Sequence, residues 1–284
     1  MLADLRHTEP VGQACPATAR GATTRAAHRQ AVEQVIGMMS VRVDAPLSLQ
    51  DMAAIARLSP FHFTRVFRDI TGVPPQKFQA TLRMEMAKRL LLTTRLSVLD
   101  VCFEVGYSSP GTFTTHFTRY VGVPPRHLRR MAEREAAVAL PPMMAPSGGS
   151  QQGVSGVIGA PAQFSGPLFI GLFPDPMPQG RPVGCVAVPG PGPYTMAGVP
   201  DASYYVCAAA IEPDADPLTY LLPGADTLYV GVSSEPVVVR HGQADRAVDL
   251  TLRRAERTDP PLLMAFPCFF AEPDCPEGAS DASL

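Results

Sequence analysis

Ser59–Pro75 reads SPFHFTRVFRDITGVPP, and fifty residues on Ser109–Pro125 reads SPGTFTTHFTRYVGVPP. The two stretches share Ser-Pro at the start, Phe-Thr in the middle, a second Phe, and Gly-Val-Pro-Pro at the end. Each reads as a helix. Pro60 and Pro110 stand at its first turn, where proline is tolerated because no N–H is needed there. Phe63, Val66 and Phe67 fall at core spacing in the first copy, as do Phe113 and Phe117 in the second. Gly72 stops the first of the two helices.

A shorter helix precedes each copy. Ser48 caps LQDMAAIAR, with Asp51 in the first turn, where a carboxylate suits the helix dipole. Leu49, Met52, Ala53 and Ala56 form its inward face, and Leu58-Ser59 makes the turn. Ser97 likewise caps VLDVCFEV, with the turn at Gly106. Between the units, Pro75 to about Leu92 reads as one helix, with Phe78, Leu82, Met86 and Leu90 on one stripe. A short helix, a tight turn and a second helix with polar outward side chains is the layout that sets a recognition helix in the DNA major groove. A connector of about 18 residues is roughly 27 Å long, of the order of the ~34 Å between successive major-groove faces. Two copies at this separation therefore suit two adjacent pieces of one site.

Charge points the same way. The 284-residue chain has a net charge of only −2, but Arg25 to Met131 holds 15 Lys+Arg against 7 Asp+Glu, a net of +8. The remainder holds 9 basic and 19 acidic residues, a net of −10. A basic part beside an acidic part suggests nucleic-acid contact confined to one region. The start, MLADLRHTEP, has no basic-then-apolar signal pattern. No apolar run approaches the ~18 residues of a membrane span, so a soluble, cytoplasmic chain without a membrane partner is expected. The six cysteines, Cys15, Cys102, Cys185, Cys207, Cys268 and Cys275, form no close CxxC pair. Free thiols and no metal site are expected, with His62 and His116 as surface residues.

Composition divides the chain into four regions. Residues 1–25 read as a flexible arm and 26–131 as the helical domain. Residues 132–164 read as a helical tail, AEREAAVAL, dissolving into a Pro/Gly/Ser/Gln linker. In 165–284, short runs alternate with turns: PLFIGLFPD, PVGCVAVPG, SYYVCAAAI, DTLYVGV, PVVVRHG and AVDLTLRR. Val248-Leu250-Leu252 and Tyr204-Val206 show alternation. The expected fold is multidomain: an all-α double helix-turn-helix domain, then an all-β sandwich-like domain. A flexible linker would let the acidic half fold back near the basic face and compete with DNA.

The pieces SLQDMAAIARLSPFHFTRVFRDITGVPPQKF, RMEMAKRLLL and VCFEVGYSSPGTFTTHFTRYVGVPPRHLR resemble the DNA-binding domain of AraC-type bacterial transcription regulators, over residues of about 30–131. That resemblance implies recognition-helix positions at Phe61, Thr64 and Arg65 and at Gly111, Thr114 and Thr115. Arg65 stands out, since a guanidinium can bond guanine O6 and N7 together. Ser59, Arg68, Ser109 and Arg119 are candidates for phosphate contact, with Arg83, Lys88 and Arg89 as further cations. Double-stranded DNA and RNA polymerase are the implied partners. The family carries Arg where this chain has Thr115, a side chain where it has Gly111, and glycine where it has Arg57. The second unit is therefore expected to read bases less.

The stretch GPYTMAGVPDASYYVCAAAIEPDADP loosely resembles a transthyretin-like or carboxypeptidase-regulatory sandwich. Two roles stay open for that half: a small-molecule sensor, with Tyr194, Tyr204 and Tyr205 lining its pocket, or a structural or protein-docking module. No catalytic set is visible. Serines lie in no G-x-S-x-G context, no glycine-rich phosphate loop precedes a helix, and no cofactor is expected.

Overall fold

Among the described residues helices come first and strands follow, and the starts of four helices have a visible local cause. The structure, a computed structural model, describes residues 16–133, 153–162, 164–212, 219, 221–224 and 226–264, with only the backbone for 16–23. The helices are α1 (Pro16–Val41), α2 (Leu49–Ile55), α3 (Pro60–Thr71), α4 (Pro75–Thr93), α5 (Val98–Glu104), α6 (Pro110–Val121) and α7 (Pro125–Glu133). Two capping boxes start the short helices. The Ser48 hydroxyl accepts from the Asp51 N–H at 3.2 Å, and the Asp51 carboxylate accepts from the Ser48 N–H at 3.1 Å. Ser97 and Asp100 repeat this at the head of α5, both at 3.1 Å. The Ser48 and Ser97 hydroxyls also donate to the Asp51 and Asp100 carboxylates, both at 2.7 Å, and these bonds first, then those from the serine N–H groups, hold both carboxyls below their usual range. Ser59 and Ser109 cap α3 and α6, and both helices end on a left-handed glycine, Gly72 and Gly122.

The turn inside each unit needs a positive φ. Gly106 supplies it at 75°. A Cβ there would overlap the Asp44 carbonyl and lie 2.8 Å from Arg83 Nη2. Arg57, at the equivalent place in the first unit, sits at φ 55°. That is a costly conformation for a residue with a Cβ.

The long helix α4 joins two cores. Phe78 and Leu82 belong to the first-unit core with Val32, Val35, Met39, Met52, Phe63 and Phe67. Met84, Ala87 and Leu91 belong to the second, with Val101, Phe113, Phe117 and Leu128. The stripe Phe78-Leu82-Met86-Leu90 is therefore only part of what α4 buries. The helix is covered on several sides, and no single face shows in its sequence.

The strands are β1 (Val154–Gly159), β2 (Leu168–Phe173), β3 (Gly184–Val188), β4 (Gly192–Met196), β5 (Ser203–Ile211), β6 (Leu228–Val232), β7 (Val237–Arg240), β8 (Gln243–Ala244), β9 (Leu250–Thr251) and β10 (Arg253–Arg254). A small sheet runs β4-β1-β9, and a larger one runs β10-β6-β5-β2-β3, with β7 beside β5 and β8 beside β7. Most pairs are antiparallel; β1 and β9 are parallel. Facing side chains of the two sheets make one core: Val154, Ile158, Tyr194 and Met196 against Leu168, Ile170, Leu172, Val206 and Ala208. This is a two-sheet packing.

The other face of the large sheet is not solvated. Phe169, Phe173, Ala187, Cys207, Ala209, Ile211 and Leu228 share a core with α4, α5, α6 and α7. Successive residues of β2 and β5 point to opposite faces, so LFIGLF and most of SYYVCAAAI are buried on both sides. The molecule is thus layered as small sheet, large sheet, helices. The halves interlock in polar contacts too. Buried Lys88 on α4 donates to the carbonyls of Leu263 (2.7 Å) and Met264 (3.3 Å). Arg29 on α1 pairs with Glu256 and donates to Thr258 Oγ1 at 3.2 Å.

Several sequence expectations need correction. The arm assigned to 1–25 is helix from Pro16 onward. Its Ala/Thr/Arg run offers no periodicity, but alanine favours helix intrinsically. The linker assigned to 132–164 gives way to strand β1 at Val154; residues 134–152 lie outside the described set. The glycines of that strand suggest a linker, yet Gly156 is where the Val248 carbonyl comes so close that a Cβ would overlap it. The β-half does not hover on a tether: its sheet packs into the helical core.

Candidate nucleic-acid interface

The N-terminal halves of α3 and α6 are exposed in both units. Ser59, Pro60, Phe61 and Arg65 are exposed on α3, and Phe61 is 84% accessible. On α6, Ser109, Pro110, Gly111, Thr114 and Thr115 are exposed. The inward residues Phe63, Phe67, Phe113 and Phe117 are fully buried. Both helices thus hold one face to the core by their phenylalanines and present the other to water. The six positions expected from the resemblance fall on or beside these outward faces, with Thr64 half-buried.

Local bonds decide what each side chain has left to offer. The Thr64 hydroxyl donates to the Pro60 carbonyl at 2.8 Å, and the Thr115 hydroxyl to the Gly111 carbonyl at 3.0 Å. Ser59 and Ser109 use their hydroxyl oxygens as caps, accepting from the N–H of His62 (3.3 Å) and Thr112 (3.4 Å). Helix N-termini at the outward face leave further N–H groups for an anion. Arg65, Arg68 and Arg119 are exposed and make no ion pair among the described residues.

Of three other cations, two are taken up internally and the third stays exposed beside a carboxylate. Arg83 Nε donates to the Val105 carbonyl at 2.9 Å, and its guanidinium lies 4.5 Å from the Tyr107 ring centre. Lys88 is the buried latch described above. Arg89 stands 4.0 Å from Glu85, whose half-buried carboxyl is raised by desolvation. Arg83 and Lys88 therefore hold the fold together and are not available to phosphate.

A segment that the sequence did not single out touches both units. The β2–β3 loop carries Met177 into the first-unit core, where it is buried. Three residues on, the Gly180 N–H donates to the Tyr120 carbonyl at the end of α6, at 2.9 Å. Gly180 has φ 68°, and a Cβ there would lie 2.7 Å from the Arg119 carbonyl. The loop thus reaches the C-terminal end of α6 and the core behind α3 and leaves their outward N-terminal halves open.

The three tyrosines expected to line one pocket do not share a face of the sheet. Tyr194 and Tyr204 are buried in the sandwich core, and their hydroxyls donate to the carbonyls of Val248 (2.9 Å) and Pro200 (3.0 Å). Burial pushes the Tyr194 hydroxyl far above its usual range. Tyr205 follows Tyr204 on β5 and faces the opposite side of the sheet. Alternation along the strand separates what proximity in sequence had grouped.

Among the described residues no cluster of three His, Cys, Asp or Glu could hold a metal ion. Cys102, Cys185 and Cys207 are free. Among the described helices none is long and apolar enough to cross a membrane.

Residues 52–131 match the family model described as "Helix-turn-helix domain". The HTH-type transcriptional regulator GlxA of Rhizobium meliloti is 30% identical over 124 residues, 44% of this chain and 38% of that protein. The melibiose operon regulatory protein of Escherichia coli is 24% identical over 103 residues, 36% of this chain and 34% of that protein. A transcriptional regulator structure from Chromobacterium violaceum, described as AraC-type, is 24% identical with a TM-score of 0.37, covering 39% of this chain and 98% of that one. The chain thus spans little more than a third of the length of these curated relatives.

Proposed function

We propose that this chain, whose residues 52–131 match a helix-turn-helix domain model, is a sequence-specific DNA-binding regulator of transcription of the AraC type that reads two adjacent major-groove segments. One observation carries the reading: two outward helix faces on a basic segment, joined by the single 19-residue helix α4, about 28 Å long. Arg65 is the guanine reader of the first unit. Phe61 and the methyls of Thr64, Thr114 and Thr115 meet thymine methyls, and Gly111 lets the α6 backbone approach closely. Ser59 and Ser109, at the two helix N-termini, and Arg68 and Arg119 take phosphates. RNA polymerase is the second macromolecular partner, the cytoplasm the compartment, and the role regulatory rather than catalytic.

The C-terminal half acts in this reading as a brace. The core it shares with α4 to α7, and the loop from Met177 to Gly180, support that role. The test is a titration of the full chain with a random-sequence duplex pool followed by selection. Enrichment of a site with two conserved segments one helical turn apart, and affinity falling steeply with salt as counterions are released, is the expected result. No binding at low salt would remove the proposal.

A further inference from the structure

A cavity of about 600 Å³ lies where the end of α3 meets the larger sheet. Gly72 and Val73 form its helical wall, Met177 comes from the β2–β3 loop, and Val230, Val232 and Leu262 close it from the other half. Its size falls within the roughly 300–1,000 Å³ of small-molecule sites. Junctions between structural units are a frequent location for such sites.

The lining chemistry narrows the occupant. The walls are valine, methionine, proline and leucine, so most of the ligand is apolar. The polar end holds Thr251 and the pair Arg253–Asp259. Arg253 donates twice to the Asp259 carboxylate, both at 2.7 Å. Each charge is thereby answered inside the protein. A ligand carboxylate would face Asp259, and a ligand cation would face Arg253; a neutral hydrogen-bonding group meets neither penalty.

We propose that this cleft binds a neutral, mostly apolar small molecule with one polar end, and that its occupancy tightens DNA binding. The second part rests on the DNA-binding reading above. The reason for the direction is linkage. The ligand touches both halves, so it binds only the docked arrangement. In that arrangement Met177 and Gly180 hold the two units together, and Gly72 is the C-cap of the helix that carries Arg65.

The test uses the full chain and Nile red, a neutral apolar dye whose emission shifts to the blue on leaving water. Val232→Trp fills the cleft from its rim, where the native side chain is 42% exposed and the fold is little strained. Val157→Trp, at a valine on β1 that is 50% exposed, is the matched control. Saturable binding of one dye per chain is expected, weakened about tenfold or more in Val232→Trp only. Saturating dye should raise the DNA affinity of the native chain about fivefold and leave Val232→Trp unchanged. Equal dye binding by both Trp variants overturns the site. Dye binding that appears only when residues 265–284 are removed also overturns it, in favour of the chain's own tail as occupant. Dye binding at the cleft with DNA affinity unmoved overturns the effector role. Loss of the DNA-binding reading itself is seen separately, as no DNA binding by the dye-free chain.

Discussion

Met177→Ala tests whether the two halves are one structure. Met177 belongs to the β-half by sequence and to the first-unit core by position, where it is 5% exposed. Methionine-to-alanine changes in cores cost about 2–5 kcal/mol, the upper values where a sealed void is left. Here the side chain also lines the 600 Å³ cleft. The space left merges with an existing cavity, so the transfer term dominates and the cost sits near the lower end, about 2 kcal/mol. Urea unfolding measures it. Helix content followed by circular dichroism reports α1 to α7. Tyrosine fluorescence reports mainly the sheets, because five of the seven tyrosines lie between Tyr194 and Tyr229 and the chain has no tryptophan. With a slope of about 2 kcal/mol per molar urea, the midpoint should fall by about 1 M in the helical signal. Both signals should move together. A helical midpoint that stays within about 0.2 M of native would refute the interlocked core and leave the β-half as a tethered module.

Gly106→Ala should cost about 3 kcal/mol or more, combining a positive φ with overlap on the Asp44 carbonyl; a loss under about 1 kcal/mol in the same unfolding assay would contradict the turn geometry. Arg57→Gly, at φ 55°, should instead stabilise by up to about 1 kcal/mol, seen as a raised melting temperature. Tyr194→Phe should lose about 1–2 kcal/mol, because the Val248 carbonyl is left unpaired in the core. Asp51 and Asp100 have lowered folded pKa values, so their capping boxes stabilise above the unfolded value of about 3.9 and fade as pH falls through the folded ones. Asp51→Asn with Asp100→Asn should flatten that acid-side loss in a pH series of melting temperatures.

Much of the helical half was legible because its punctuation is local. Ser48, Ser97, Pro60, Pro110 and Gly72 act within one turn, so sequence alone places α2, α3, α5 and α6. The reciprocal role of Asp51 in its box was visible only as a dipole preference, and that of Asp100 was not noticed, although the Ser-x-x-Asp spacing carries the signal in both. The start of α1 was missed because helix propensity without an apolar stripe leaves no period to read. Strand β1 was missed because Gly156 serves a backbone contact with a distant strand. The largest omission, the docking of sheet on helices, had a signal. LFIGLF and VCAAAI do not alternate, and strands without alternation are buried on both faces. The outward positions Phe61, Arg65, Gly111, Thr114 and Thr115 were legible from the phenylalanine spacing once the family pattern gave the register. The fates of Arg83 and Lys88 were not, since their partners lie 22 and 175 residues away. The tyrosine grouping failed for a different reason in each case: Tyr194 bonds to the Val248 carbonyl 54 residues away, Tyr204 bonds locally to the Pro200 carbonyl, and Tyr205 turns to the other face of β5.

Two outward helices on one rigid connector should protect DNA in a definite pattern. Hydroxyl-radical and base-methylation footprinting of the native chain on its selected site measures this directly, beside Arg65→Ala and Thr115→Ala. Two protected major-groove segments about one helical turn apart, on one face of the duplex, are expected. Arg65→Ala should cost about 1–3 kcal/mol and release one guanine of one segment, while Thr115→Ala should leave both segments protected. A single protected segment, or equal losses for the two variants, would contradict the claim that two units read adjacent grooves with the first dominant.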